Sequence, residues 1–508
     1  MSTLDAILVN PGGRELVYQG LSADLTAVEP PLWCRLIGGY LRDRNFEIDI
    51  LDTEALNIGP EEAAIKIINR RPRLVIMVVF GHQPSASTQQ MVGARLCCQA
   101  LKAIAPELTI LIVGGHISAL PERTLCEEPV DYACKGEGPV TAEQLLQALD
   151  AEPAGPDEAI LEKIPGLVWR RNKGIVINPS APLFSNLDQD LHGNVWDLLP
   201  MERYRAHNWQ CFNNLQTRKP YASIYTSLGC PYKCSFCCIN APFDVNRYRM
   251  RSPDAVVGEI KCLYETYGIK TFKIIDEMFV LNDRHVAAIC NGLAAQDFAP
   301  ELNIWAYARV DTVKPERLAL MRSAGIRWLA LGIESGSAHV RDGAEKSFEQ
   351  KDIIEIVHKI QAMGISVIGN FIFGLPDDNY ASMRTTLDLA KEINCEFVNF
   401  YSAMAYPGSP LFTMAALNDW DLPAAWSGYS QHSYDCLPLP TAQISSAEVL
   451  AFRDDAFHEY FENPRYLDMI TQKFGIETRQ HIKDMSKHRL KRHILETKKM
   501  RDREQFKR

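Results

Sequence analysis

Short runs of continuous apolar residues alternate with stretches whose apolar positions recur every three or four residues. In the first third of the chain the runs are Ala6–Val9, Ile48–Leu51, Leu74–Val79, Thr109–Val113 and Tyr132–Cys134. Helical patterns lie between them at Leu32–Arg42, Glu61–Asn69, Thr88–Ile104 and Thr141–Leu149. Strands apolar on both faces, alternating with helices, predict a doubly wound (Rossmann-like) parallel sheet over residues 1–150. Pro153-Ala-Gly-Pro156 breaks the helical pattern, and Gly166–Asn178 reads as a hairpin turning at Asn172-Lys-Gly174. Residues 151–221 are thus expected to form a connector.

The alternation returns over residues 222–415. Strands are predicted at Ser223–Ser227, Thr271–Ile275, Ile304–Ala308, Trp328–Ile333, Ser366–Phe373 and Phe397–Ser402. Helices are predicted at Pro253–Tyr267, Arg284–Ala295, Pro315–Ala324, Gln350–Met363 and Tyr380–Ile393. Six such units predict a partial (β/α)6 barrel, TIM-like but open on one side, with chemistry at the carboxyl ends of its strands. Residues 416–508 read as a mainly helical extension. Trp420, Trp426, Tyr429, His432 and Tyr434 cluster at its start, and helices are expected at Ser446–Phe461 and Arg465–Phe474. The fold class is α/β throughout.

Composition narrows the function classes. The 508 residues are 46% hydrophobic and 23% charged, as in soluble globular proteins. A net charge of −9 argues against wholesale nucleic-acid binding. Only Ile476–Arg508 is basic, twelve Lys and Arg against five Asp and Glu, a difference of +7. Apolar runs are too short to span a bilayer, and the N-terminus lacks a basic region followed by a long apolar one. Fourteen cysteines without framework spacing fit a reducing cytoplasm.

Candidate chemistry centres on Cys230-Pro-Tyr-Lys-Cys234-Ser-Phe-Cys237, a Cys-x3-Cys-x2-Cys loop. Three thiolates so close suit one corner of a sulfur-loving metal site. A closed zinc site wants four ligands, usually as two separated pairs, and a [4Fe–4S] cluster also takes four. A zinc knuckle and a three-thiolate cluster with one open iron are both compatible with the spacing, and the adjacent Cys238 adds a further possible ligand. The spacing, with Phe236 before the last cysteine, resembles the signature of the radical S-adenosylmethionine (SAM) enzymes. That resemblance implies that Cys230, Cys234 and Cys237 hold a [4Fe–4S] cluster whose open iron chelates SAM. It further implies reductive cleavage of SAM to a 5′-deoxyadenosyl radical, with the electron supplied by a donor such as flavodoxin or ferredoxin.

The strand ends of the first third carry small and polar residues: Asn10-Pro-Gly-Gly13, Gly81-His-Gln-Pro-Ser-Ala-Ser87, Gly114-Gly-His116 and Lys135-Gly-Glu-Gly138. The order "GGHxxxLPE" then "KGEGxxT" is similar to the cobalamin-binding domain that precedes many radical SAM cores. The resemblance implies cobalamin contacts from Asn10, Pro11, His82, Gln83, Ser85, Gly114, Gly115, His116, Gly136, Glu137 and Gly138. The loop Asn10–Tyr18 holds no histidine, so no strong lower cobalt ligand is expected there. His82 and Gln83 are the candidates for that face, or else a loop pair bonded to backbone.

On the barrel, SAM needs an acid for its amino group, a cation for its carboxylate, polar groups for the ribose and an apolar wall for adenine. The resemblance places these on strand ends: Glu334 at the amino or ribose end, Arg309 at the carboxylate, Asn370 and Ser335 at the ribose, and Phe236 and Ile372 beside adenine. Asp276 and Glu277 stand at a further strand end, and Tyr307 and Asp311 are candidates for positioning substrate. For Asp276, Glu277 and Asp311, helix capping or salt bridging is the alternative. The pair of cofactors implies methylation of an unactivated carbon, or of a phosphinate, in a small-molecule or biosynthetic-intermediate substrate. Cyclisation or rearrangement without methyl transfer is the alternative, and a cobalamin sensor without turnover a more remote one.

Overall fold

Strands buried on both faces and helices amphipathic on one assemble into two parallel sheets. The computed structural model describes residues 4–21, 25–81, 86–152, 155–172, 174–346 and 348–497. His82, Gln83 and Ser85, the Pro153–Ala154 break, Lys173 at the hairpin tip and the end of the basic tail lie outside the described residues. In the first sheet β1 (Ala6–Asn10), β2 (Ile48–Asp52), β3 (Leu74–Val79), β4 (Thr109–Gly114) and β5 (Tyr132–Cys134) run parallel in the order 2-1-3-4-5. The connector hairpin, β6 (Leu167–Arg171) and β7 (Gly174–Ile177), continues this sheet antiparallel from β5. Strand order reverses between β1 and β3. Ligands of such sheets sit in the crevice at that switch point, beyond the carboxyl ends.

The second sheet has six parallel strands in sequence order: β8 (Tyr221–Ile224), β11 (Thr271–Ile274), β12 (Asn303–Arg309), β13 (Ile326–Glu334), β14 (Ser366–Phe373) and β15 (Phe397–Ser402). Two short strands, β9 (Ser227–Leu228) and β10 (Arg249–Met250), pair antiparallel beside it. The predicted run Ser223–Ser227 is therefore not one strand. Asp276 is the cause: its carboxylate accepts the Thr226 N–H (2.6 Å), the Thr226 hydroxyl (2.5 Å) and the Ser227 hydroxyl (2.6 Å), drawing the chain out of the ladder.

β8 and β15 do not pair with each other, so the barrel has two strand edges that need cover. The extension sutures β15. Gln431 donates to Ser402 O (2.9 Å) and accepts from Ser402 N (2.9 Å), imitating a neighbouring strand. Arg453 donates to Phe400 O, Tyr460 to Cys395 O and Tyr466 to Glu396 O. On β8, Arg35 from helix Leu32–Arg42 donates to Ser223 O (3.1 Å) and reaches Glu259 (3.1 Å). The first sheet's helix and the C-terminal helices thus close the barrel from opposite sides. No helix among the described residues is long and apolar enough to cross a membrane.

Helix Ala86–Ile104 presses Gly93 onto the loop after β1. A Cβ on Gly93 would lie 1.7 Å from Gly12 O, a backbone atom that cannot swing aside. Gly93→Ala is expected to displace the Gly12–Gly13 loop and cost about 1–3 kcal/mol, the usual range for overpacking. Thermal unfolding, with bound corrinoid measured by absorbance, checks this.

Candidate functional site

The cysteine loop hangs between β9 and β10. Gly229 enters it at φ +81°, where a side chain would strike Arg247 O at 2.2 Å. Asn240 brackets Cys230: its Oδ1 accepts the Cys230 N–H (3.3 Å) and its Nδ2 donates to Cys230 O (3.0 Å). Ser235 ties the loop to residues 344 and 411 through its backbone N–H and C=O. All fourteen cysteines are free thiols. Burial pushes the Cys230 thiol up to about 11 and raises those of Cys234 and Cys237, and Cys237 is raised further by Cys238, Cys234 and Cys230. The three thiols therefore lie within electrostatic reach of one another.

Among the described residues no three His, Cys, Asp or Glu side chains converge on a single-ion position. A cubane takes its thiolates on separate irons, so three thiols sharing one loop fit a [4Fe–4S] cluster with an open iron. A bound cluster would reverse the upward push on these thiols, because a metal deprotonates its thiol ligands.

Beside Cys234 the strand ends of β12 and β13 bring charge together. Arg309 lies over the Tyr232 ring at 3.9 Å, forks onto Asp311 (2.9 and 3.0 Å) and sets Nη1 3.8 Å from Cys234 Sγ. Glu334 follows the register shift of β13 against β14, at φ +65°. It is ion-paired with Lys346, and both charges act on the Cys234 thiol. Phe236 and Ile372 share one apolar cluster. Arg309, Glu334 and Lys346 thus gather at Cys234, and acid, cation and apolar surface are the donor types that could hold SAM. Lys346 was not among the sequence candidates, since it lies in a stretch without a motif.

Other candidates are placed differently. Asp276 spends its oxygens on Thr226 and Ser227, as described. The Ser335 hydroxyl is fully buried against Thr386 Oγ1 (3.1 Å) and the Ser337 N–H (3.2 Å), holding a turn. Asp311 is taken up by Arg309. Asn370 donates to Leu331 O (3.2 Å) and accepts from Asn399 (2.9 Å). Tyr307 packs edge-on against Trp305 at 4.9 Å, deeper in the barrel. Glu277 lies in a narrow cleft lined also by Gly81, Gly115 and Cys238, where burial pushes its carboxyl up to about 8.

At the ends of the first sheet's strands, Asn10 donates to Asp52 (2.8 Å), and the Thr53 hydroxyl accepts the Gly12 N–H (2.6 Å). A Cβ on Gly114 would meet Val79 O at 2.0 Å, and one on Gly138 would meet Val113 at 2.7 Å, so these glycines serve close backbone packing. His116 does not line either space between the sheets. Its ring sits against Thr88 Oγ1 (3.2 Å) and stands edge-on to Trp426 at 4.4 Å. Burial draws its pKa down to about 3, so it is neutral. The Gly136 N–H donates to Ser118 (3.1 Å), and Glu137 is clamped to Arg249 of β10 at 2.7 Å.

A cavity of about 500 Å³ opens between the two sheets. Pro11, Gly12, Gly13 and Ala86 wall it at the β1/β3 switch point, and Tyr307, Asn370 and Tyr401 wall it from the barrel. A crevice at the switch point, edged by a loop that carries glycines, suits a corrinoid. Glu54 borders the same cavity beside Arg14 (3.2 Å), and burial pushes its carboxyl up to about 7. The folded state thus keeps a proton that the unfolded chain loses above its ordinary carboxylate pKa. Stability from this group is complete at acid pH and falls as pH rises toward 7. Relative to Glu54→Gln, the wild type is expected to lose on the order of 2–3 kcal/mol between about pH 4.5 and pH 7, at about 1.4 kcal/mol per unit of separation. Denaturant unfolding across that range checks it.

Comparison with known proteins agrees with this layout. A family model described as the radical SAM superfamily matches residues 224–390, and one described as the B12 binding domain matches residues 18–146. An uncharacterized methyltransferase of Pyrococcus horikoshii is 28% identical over 86% of this chain and 89% of its own. An anaerobic magnesium-protoporphyrin IX monomethyl ester cyclase of Synechocystis is 27% identical over 64% of this chain and 61% of its own. A cytidylyl-2-hydroxyethylphosphonate methyltransferase of Streptomyces wedmorensis is 24% identical over 80% of each. Among solved structures, the radical SAM methyltransferase TsrM of Kitasatospora setae, with cobalamin and a [4Fe–4S] cluster bound, superposes with a TM-score of 0.67 at 19% identity, covering 92% of this chain and 90% of that one. The cofactors are accordingly a [4Fe–4S] cluster, SAM and cobalamin. The chain is a radical SAM enzyme that belongs to the cobalamin-binding branch of that superfamily, with its B12-binding domain ahead of its radical SAM domain.

Proposed function

We propose that this enzyme methylates an unactivated carbon, or a phosphinate, of a small-molecule substrate. The observation that carries the reading is the shared cavity: residues at the β1/β3 switch point and in the barrel interior face one space. With its cofactors bound, the site supplies a radical for hydrogen abstraction and a methyl group for transfer. The chain's part is to hold the reactants against one another and to keep water out. Cys230, Cys234 and Cys237 hold the cluster. Arg309 and the Glu334–Lys346 pair orient the polar end of SAM, and Phe236 and Ile372 flank its adenine. Pro11, Gly12 and Gly13 border the corrinoid. The working division of the chain is residues 1–150, 151–221, 222–415 and 416–508, with an electron donor of the flavodoxin or ferredoxin type as partner and the cytoplasm as its compartment.

The names of relatives support transfer: two of the three above are methyltransferases, and a hopanoid C-3 methylase of Methylococcus capsulatus is 27% identical over 58% of this chain. The cyclase relative supports ring closure as a second reading. Anaerobic incubation of the loaded enzyme with SAM, reductant and candidate metabolites separates them. Methyl transfer yields S-adenosylhomocysteine beside 5′-deoxyadenosine in comparable amount. Ring closure yields 5′-deoxyadenosine alone.

A further inference from the structure

The cavity wall has a charge pattern that bears on what it admits. Every lysine and arginine among the described residues of the wall is paired with a carboxylate of this chain. Lys273 pairs with Glu29 (3.0 Å), Arg453 with Asp454 (2.8 Å), Arg489 with Glu462 (3.5 Å) and Arg14 with Glu54 (3.2 Å). Both members of the Lys273–Glu29 pair are buried to 1% exposure. Taking that lysine for a ligand would strand a buried carboxylate, a cost of several kcal/mol. The barrel side also carries aromatic rings, with Trp209, Trp305, Tyr307, Phe400 and Tyr401 in the wall beside Ile368, Asn370 and Asn399.

One end differs. Arg14 and Tyr18 stand one turn apart in helix Arg14–Tyr18, and Gln89 donates to the Tyr18 hydroxyl (3.0 Å). The His432 ring stacks on Tyr18 at 5.3 Å, delivered there by the C-terminal extension. Gln19 Nε2 bonds His432 O (2.7 Å) and Ser430 Oγ bonds Val17 O (2.9 Å), which fixes that segment. Arg14 Nη1, Gln90 Oε1 and His432 Nδ1 are buried without a hydrogen-bond partner. Such atoms are costly unless a ligand satisfies them. Arg14 also has the least committed counter-charge, because the Glu54 carboxyl titrates near neutrality.

We propose that the substrate is a largely apolar, ring-bearing molecule with at most one anionic end, its rings among the barrel aromatics and its polar end at Arg14, Gln90 and His432. The same pairing disfavours a nucleotide diphosphate or other polyphosphorylated carrier, which would need more than one cation to itself. This rests on the methyltransferase reading and sharpens it. The Streptomyces relative is named for a cytidylyl phosphonate. Among the described residues, the wall's lysine and its arginines all already face a carboxylate, and Lys273 is the one buried most deeply.

The test uses the full chain loaded with cluster and corrinoid, and three probes: 1-pyrenebutyrate, 1-pyrenemethanol and cytidine 5′-diphosphate. Fluorescence anisotropy is expected to show saturable binding of both pyrenes, weakened by Trp305→Ala. Arg14→Gln is expected to weaken pyrenebutyrate by roughly tenfold, the worth of a charge-assisted hydrogen bond, and to spare pyrenemethanol. Cytidine diphosphate at roughly a hundredfold excess is expected to displace neither. Displacement by the nucleotide, or an Arg14→Gln effect equal on both pyrenes, overturns the proposal. The nucleotide competition needs no variant, so a misfolded variant does not shield it. Formation of 5′-deoxyadenosine from SAM by the same preparation reports on the enzyme reading separately.

Discussion

Cys234→Ala is expected to abolish the brown iron–sulfur absorbance of anaerobically reconstituted protein and to lower 5′-deoxyadenosine formation to background, a fall of about a thousandfold or more. The size follows from the chemistry: with two thiolates on the loop the cluster loses a ligand it cannot replace from nearby. Cys238 tests that statement, since it is adjacent in sequence. Its side chain is buried and lines the cleft with Glu277 and Gly115. Cys238→Ala is therefore expected to keep the cluster. Iron content and absorbance of the two variants, measured side by side, decide whether the triplet alone carries it.

Arg249→Ala is expected to be strongly destabilising. Arg249 on β10 donates to Glu137 (2.7 Å) and to Phe184 O (2.9 Å), and both charged side chains are at most 5% exposed. Burial raises the Glu137 carboxyl, and Arg249 is what holds it down. Removing the guanidinium leaves a buried carboxylate unpaired, a loss of about 3–5 kcal/mol. In the variant, folded Glu137 keeps its proton to higher pH than in the unfolded chain, so the loss should grow as pH rises and shrink in acid. Glu137→Gln combined with Arg249→Met should recover part of the stability. Denaturant unfolding at two pH values checks both statements.

This pair also shows where sequence reading stops. Glu137 was singled out from the Gly136-Glu137-Gly138 turn as a cobalamin contact, and the structure instead ties it to a residue 112 positions away. Strand and helix positions were legible, because apolar runs and helical periodicity record local burial. Leu74–Val79, Ser366–Phe373, Pro253–Tyr267 and Tyr380–Ile393 stand as the pattern predicts. The cysteine triplet was legible because its spacing is contiguous. Pairings across the chain leave no such trace. The Glu334–Lys346 pair, the Lys273–Glu29 pair and the Gln431 suture of β15 join segments that no periodicity links. Asp276 breaks a strand 49 residues away from it by taking the Ser227 hydroxyl. Ser335 and His116 occupy strand ends that looked open to ligands, and both face packed interiors.

Electron paramagnetic resonance of the reduced, anaerobically reconstituted enzyme, recorded with and without SAM, tests the central claim most directly. The account predicts the signal of a reduced [4Fe–4S] cluster whose g-values shift when SAM is added, because one iron is left open by three thiolates. A preparation that holds no such cluster, or a signal indifferent to SAM, would contradict it.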